Sequence, residues 1–141
     1  MLARFTDPAY STIVMEHFAP HPSAQFEGYY SKFRFPSGGH LALIVCTVPG
    51  AEQRPHKVSF TYVAKGSRTI FQRELWPEKL EMVTTSDKNA FEHRIPGIGL
   101  VKCHEDSTTE YDFDTDDFSF HAKTTSRTAW SEGTELSLIH I

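Results

Sequence analysis

From Gly28 onward the apolar positions recur with a period of two. In Tyr29-Tyr30-Ser31-Lys32-Phe33-Arg34-Phe35, the residues Tyr29, Ser31, Phe33 and Phe35 share one face, and Tyr30, Lys32 and Arg34 the other. That alternation predicts a half-buried strand. Pro36-Ser37-Gly38-Gly39 supplies turn chemistry, and His40 to Val48, apolar on both faces and rich in β-branched residues, predicts a central second strand. Pro49-Gly50 opens a loop ending near Pro55. Val58 to Val63 is a third strand, Lys65-Gly66-Ser67-Arg68 a hairpin turn, and Thr69 to Leu75 a fourth strand, stopped by Trp76-Pro77. Further strands are expected at Leu80 to Thr84, Phe91 to Ile95 and Leu100 to His104, with turns at 86–89, 96–99 and 105–109. One or two last strands are marked by Tyr111, Phe113, Phe118 and Phe120. No segment carries the 3.6 period of a long amphipathic helix. Short strands at intervals of about 8–12 residues predict an all-β sandwich or barrel.

Residues 1–25 hold Pro8, Pro20 and Pro22 and no sustained period, and read as a lead-in to a β domain over 26–135. At 141 residues the chain is about one domain long. Lys+Arg 14 against Asp+Glu 18 gives 14 − 18 = −4, a balance that argues against a nucleic-acid partner. The cations Lys32, Arg34, Arg68 and Arg73 look scattered over a solvated exterior. Aromatic strands of this kind stack bases in OB-folds, but here they lack a basic stripe. No apolar h-region opens the chain and no run nears the ~20 residues that span a bilayer, so a cytoplasmic chain without a transmembrane segment is expected. Association with a membrane surface stays open. Cys46 and Cys103, the only cysteines, are too few for a disulfide scaffold; Cys46 lies in an apolar run that suits a reduced, buried thiol, and pairing of the two stays open.

Several local patterns touch on chemistry. Glu16, His17 and His21 place two histidines four apart, but the order is not H-E-x-x-H, and Pro20 and Pro22 break a helix there. Asp112-Phe113-Asp114-Thr115-Asp116 opens like a calcium loop, yet Asp117 stands where the turn glycine belongs and Lys123 where the closing glutamate belongs. No nucleotide-binding or nucleophile-elbow motif occurs. What remains is an aromatic face: Tyr29, Phe33, Phe35, Phe60, Tyr62, Phe118 and Phe120 are expected to line one side of a closing sheet. Such a face either packs solid or encloses one small ligand.

The segment Phe26-Glu27-Gly28-Tyr29-Tyr30-Ser31-Lys32 resembles the F-E-G-W-Y-F-K signature of tocopherol cyclases and their relatives. Phe26, Glu27, Gly28, Tyr30 and Lys32 match; Tyr29 replaces Trp and Ser31 replaces Phe. The preceding His21-Pro22-Ser23 is similar to the proline- and histidine-bearing lead-in of that family, and the strand–PSGG–strand–loop–strand pattern of 33–63 is similar to uncharacterised fungal-type members. The resemblance implies an antiparallel lipocalin-like β-barrel, and an activity in which an acid protonates the alkene of a prenylated quinol and the phenol oxygen traps the tertiary cation. It implies Glu27 as that acid, Tyr29 and Tyr30 as cavity walls, and neither metal nor other cofactor; Phe33, Phe60 and Tyr62 of the aromatic face complete the expected contacts of a small hydrophobic ligand. A structural hydrogen bond at the start of the first strand is the other role open to Glu27. A non-catalytic lipid carrier is the other role open to the whole chain. Leu136-Ser137-Leu138-Ile139-His140-Ile141 is similar to a translated transposon end, which makes 136–141 a non-native tail and a missing C-terminal portion of the chain, with a truncated barrel, an expectation.

Overall fold

The period-two segments become nine strands among the described residues, arranged in two antiparallel sheets without a helix. The structure is a computed structural model that describes residues 20–21, 23–85, 90–106 and 108–124. The Glu16–His17 pair, the turn at 86–89 and the tail 136–141 lie outside the described residues, as does most of the lead-in.

The first of two compact units is built on residues 21–80. It carries β1 (Glu27–Arg34), β2 (His40–Thr47), β3 (His56–Val63) and β4 (Ile70–Leu75), in the order β1-β2-β3-β4. Each pair is a hairpin. The β1–β2 turn is closed by the Gly38 N–H donating to the Phe35 carbonyl at 2.8 Å, with Gly38 at φ 87°, where a side chain is strained. The register aligns Ser31 with Leu43 and Leu43 with Phe60, and likewise Tyr29, Val45 and Val58. One face therefore collects Leu41, Leu43, Val45, Val58 and Phe60, all buried, with Tyr29, Ser31 and Phe33 half-buried on the edge strand. The other face carries Tyr30, Lys32 and Arg34 on β1. Strand β4 differs from its neighbours, since Ile70 to Glu74 are exposed whichever face they occupy. Gln72, Arg73 and Glu74 keep that open edge polar, which discourages pairing with other chains.

The second unit is built, among the described residues, on 81–94 and 99–124. It holds β5 (Glu81–Thr84), β6 (Phe91–Ile95), β7 (Gly99–Cys103), β8 (Thr109–Asp114) and β9 (Ser119–Lys123), in chain order. Its core side gathers Phe91, His93, Val101, Cys103, Phe113 and Phe120. Its other side is a lattice of ion pairs: Arg94–Glu92 at 2.7 Å, Lys102–Glu92 at 3.2 Å, Lys123–Glu110 at 3.2 Å and His121–Asp112 at 2.7 Å. The calcium-like segment is the end of β8 and a tight turn, in which the Thr115 N–H donates to the Phe118 carbonyl at 2.9 Å.

Strand positions agree with the sequence pattern to within about two residues, β2 is interior, and the last aromatic segment resolves into two strands. Closure is different. The described strands form two separate sheets, not one barrel. Trp76-Pro77 supplies the physical reason for the break after β4, because proline has no N–H to extend a ladder. Phe120, in β9, consequently belongs to a different sheet from Tyr29, Phe33, Phe60 and Tyr62, and Phe118 lies in the turn before β9. Cys46 and Cys103 are not joined in a disulfide, Cys103 being buried and Cys46 half-buried; burial pushes the Cys46 thiol up, against the opposing pull of the Lys57 ammonium.

Candidate functional site

The first residue of β1 is the most heavily engaged carboxylate of the four-stranded unit. Upstream of it the chain turns, with the Ala24 N–H donating to the His21 carbonyl at 3.0 Å. That turn returns His21 onto Glu27. The His21 amide N–H reaches both carboxylate oxygens, at 3.0 Å each, and the ring Nδ1 lies 2.8 Å from Oε1. Two residues along the same face of the strand, the Tyr29 hydroxyl donates to the same Oε1 at 3.0 Å. Strand geometry makes this possible, because residues i and i+2 project from one side. The Glu27 side chain keeps 12% of its accessible surface and that of His21 30%, so the pair is largely but not wholly withdrawn from water.

The polar group does not end there. In register, Glu27 faces Thr47 of β2, and Thr47 faces His56 of β3. Thr47 is buried, and its Oγ1 shares a hydrogen bond of 2.8 Å with His56 Nδ1. Burial lowers the His56 pKa from its ordinary value, because a charged imidazole loses hydration there. Glu27, Thr47 and His56 thus form one polar row across three strands, closing off the end of the apolar face. Among the described residues, no three His, Cys, Asp or Glu side chains are grouped so that they could hold a metal ion.

Five of the six expected site residues share this face. Glu27 and Tyr29 lie at its polar end, Phe33 at the far end of β1, Phe60 in the fully buried centre, and Tyr62 beside Leu41. Phe35 and Tyr62 meet edge to face, with centroids 6.1 Å apart. Tyr30 is not among them: it stands on the opposite face, 63% exposed, as the alternation of β1 requires. Sequence spacing does not single out His21 as a partner of Glu27, nor Thr47 and His56 as a hydrogen-bonded pair. His21 paired with His17 by spacing alone, whereas its contact with Glu27 depends on a turn of irregular backbone. Thr47 and His56 bracket the β2–β3 loop, so their opposition could be read only from the register of that hairpin.

No protein-family model, no curated protein and no solved structure matches the chain.

Proposed function

We propose that the protein binds a small hydrophobic molecule of the prenylated or polyene kind at the half-buried margin of the apolar face of the four-stranded sheet, as a carrier. The observation that favours the carrier over the acid-catalysed cyclase is the hydrogen bonding of Glu27. The His21 N–H and the Tyr29 O–H both donate to its carboxylate. A catalytic acid has to present a proton to its substrate; this carboxyl group instead spends its oxygens on the chain's own donors. In the carrier, Glu27 holds the polar end of the face in shape, while Tyr29, Phe33 and Tyr62, half-buried, supply the apolar contact that a guest completes. Tyr30 takes no part.

The test incubates the purified chain with a prenylated quinol and follows it by native mass spectrometry and product chromatography. A one-to-one complex without product is expected, lost in Phe33→Asp while the circular dichroism of the sheet is kept. Absence of any complex, or binding by Phe33→Asp equal to that of the parent, removes the reading. A cyclised product that disappears in Glu27→Gln replaces the carrier with the enzyme.

A further inference from the structure

The residues 28–73 contain seven Lys and Arg (Lys32, Arg34, Arg54, Lys57, Lys65, Arg68, Arg73) and a single carboxylate, Glu52, so 7 − 1 = +6 within a chain of net −4. In the second sheet the cations are answered by carboxylates, as described above. In this one, Lys57 is answered by Glu74 at 2.6 Å, and with Arg54 it also lies over the Trp76 ring, at 5.1 and 5.4 Å. Arg34 and Lys65 have no ion pair among the described residues, and the fold brings these two together. The register sets Arg34 opposite His40 and His40 opposite Val63, which puts the turns 35–39 and 64–69 side by side at the end of the sheet away from Glu27. Between them opens a recess of about 490 Å³ lined by Arg34, Phe35, Pro36, Gly38 and Lys65.

Lys65 is held in place there. Its stem lies across Gly38 so closely that a Cβ on that glycine would come within 2.7 Å of the lysine Cδ. The missing side chain thus makes room for the lysine, and part of the entropy cost of fixing a long cation is met by packing. We propose that this recess is a binding site for a phosphate group, with Arg34 presenting its guanidinium fork and Lys65 its ammonium. Two cations facing one recess match the near-double negative charge of a phosphate better than the single charge of a carboxylate. Phe35 and Pro36 add an apolar wall that admits either inorganic phosphate or the headgroup of a phospholipid with the start of its chain. The site does not rest on the carrier reading, since it uses neither Glu27 nor the proposed ligand contacts Tyr29, Phe33 and Tyr62.

The test records amide spectra of the ¹⁵N-labelled full chain during titration with inorganic phosphate, and separately with lysophosphatidic acid below its micelle concentration. Sodium chloride at equal ionic strength is the control. Saturable shifts at Phe35, Gly38 and Lys65 are expected, with Arg34→Gln and Lys65→Gln each weakening binding about tenfold or more. Tighter binding of the lysolipid marks a lipid headgroup as the source, and equal binding marks a free phosphate; both support the site. Shifts no larger than those from chloride, or variants that bind as the parent does, overturn it. Failure here leaves the quinol experiment unaffected, so the two readings fall separately.

Discussion

Removing the Glu27 carboxylate tests how firmly the start of β1 is held. Three contacts converge on Oε1, from the His21 amide, the His21 ring and the Tyr29 hydroxyl, and the amide also reaches Oε2. Hydrogen bonds to a charged group contribute about 1.5–3 kcal/mol net each, with the lower figure suited to a pair that water still reaches. Tyr29→Phe removes one donor and should cost about 1.5 kcal/mol. Glu27→Ala strands all the donors; with His21 partly solvated, water recovers some of the loss, and a total near ~3 kcal/mol follows. Glu27→Gln keeps one oxygen but sets an amide N–H₂ where an acceptor stood, and should fall between the two. The double variant should cost about 1.5 kcal/mol less than the sum of the single ones, because the Tyr29 hydroxyl has nothing left to lose once Glu27 is gone. Urea unfolding of the parent and the four variants at pH 7, followed by circular dichroism and fitted with a common slope, measures each term. A Glu27→Ala cost under about 0.5 kcal/mol, or strictly additive single variants, would refute the claim that this cluster anchors the strand.

Two further outcomes follow from the same structure. A Cβ on Gly99 would overlap the Phe113 ring and come within 2.5 Å of the Asp112 carbonyl oxygen, so Gly99→Ala should lower the melting temperature by about 5–10 °C in calorimetry; an unchanged midpoint would show that β7 and β8 are less closely apposed. Stability should also fall in two stages on acidification. Burial lowers the folded pKa of His56, so below its ordinary value of 6.5 the unfolded chain binds more protons than the folded chain and stability falls with pH, until the lowered folded value is passed. Below about 4.5 the second stage begins: Arg94 and Lys102 hold the Glu92 carboxyl low, as Lys123 and His104 do Glu110, and their contribution is lost as pH drops through those lowered values. Thermal melts of His56→Gln between pH 7 and 5 should show a shallower slope than the parent, and equal slopes would remove His56 from the account.

The strands were legible because alternation is a direct imprint of a sheet with one buried face. Tyr29, Ser31 and Phe33 announced it before Leu43 or Phe60 were known to lie beside them. The hairpin turns were legible for a similar reason, since Gly38, Gly66 and Gly97 stand at the positive φ values those turns demand. Closure was not legible. Whether the strand after Trp76-Pro77 joins the first sheet or begins another depends on backbone pairing, which alternation does not encode. The site was half legible. Glu27 stood out within a local signature, but its partner His21 arrives through a turn, and the neighbouring Thr47–His56 pair through register. The same holds at the opposite end, where Arg34 and Lys65 look scattered along the chain until two hairpins bring them to one recess.

Each strand in both sheets is hydrogen-bonded to the strand that follows or precedes it in the chain, with no crossover. Every ladder can therefore form as soon as its second strand leaves the ribosome, and the loop that must close is only a turn long, or eight residues between β2 and β3. Sequence-local pairing of this kind places the chain toward the fast side of β proteins, whose usual slowness comes from distant pairings. The kinetic signature would be successive hairpin additions, with β4, exposed on both faces, the last of its sheet to close and the first to open.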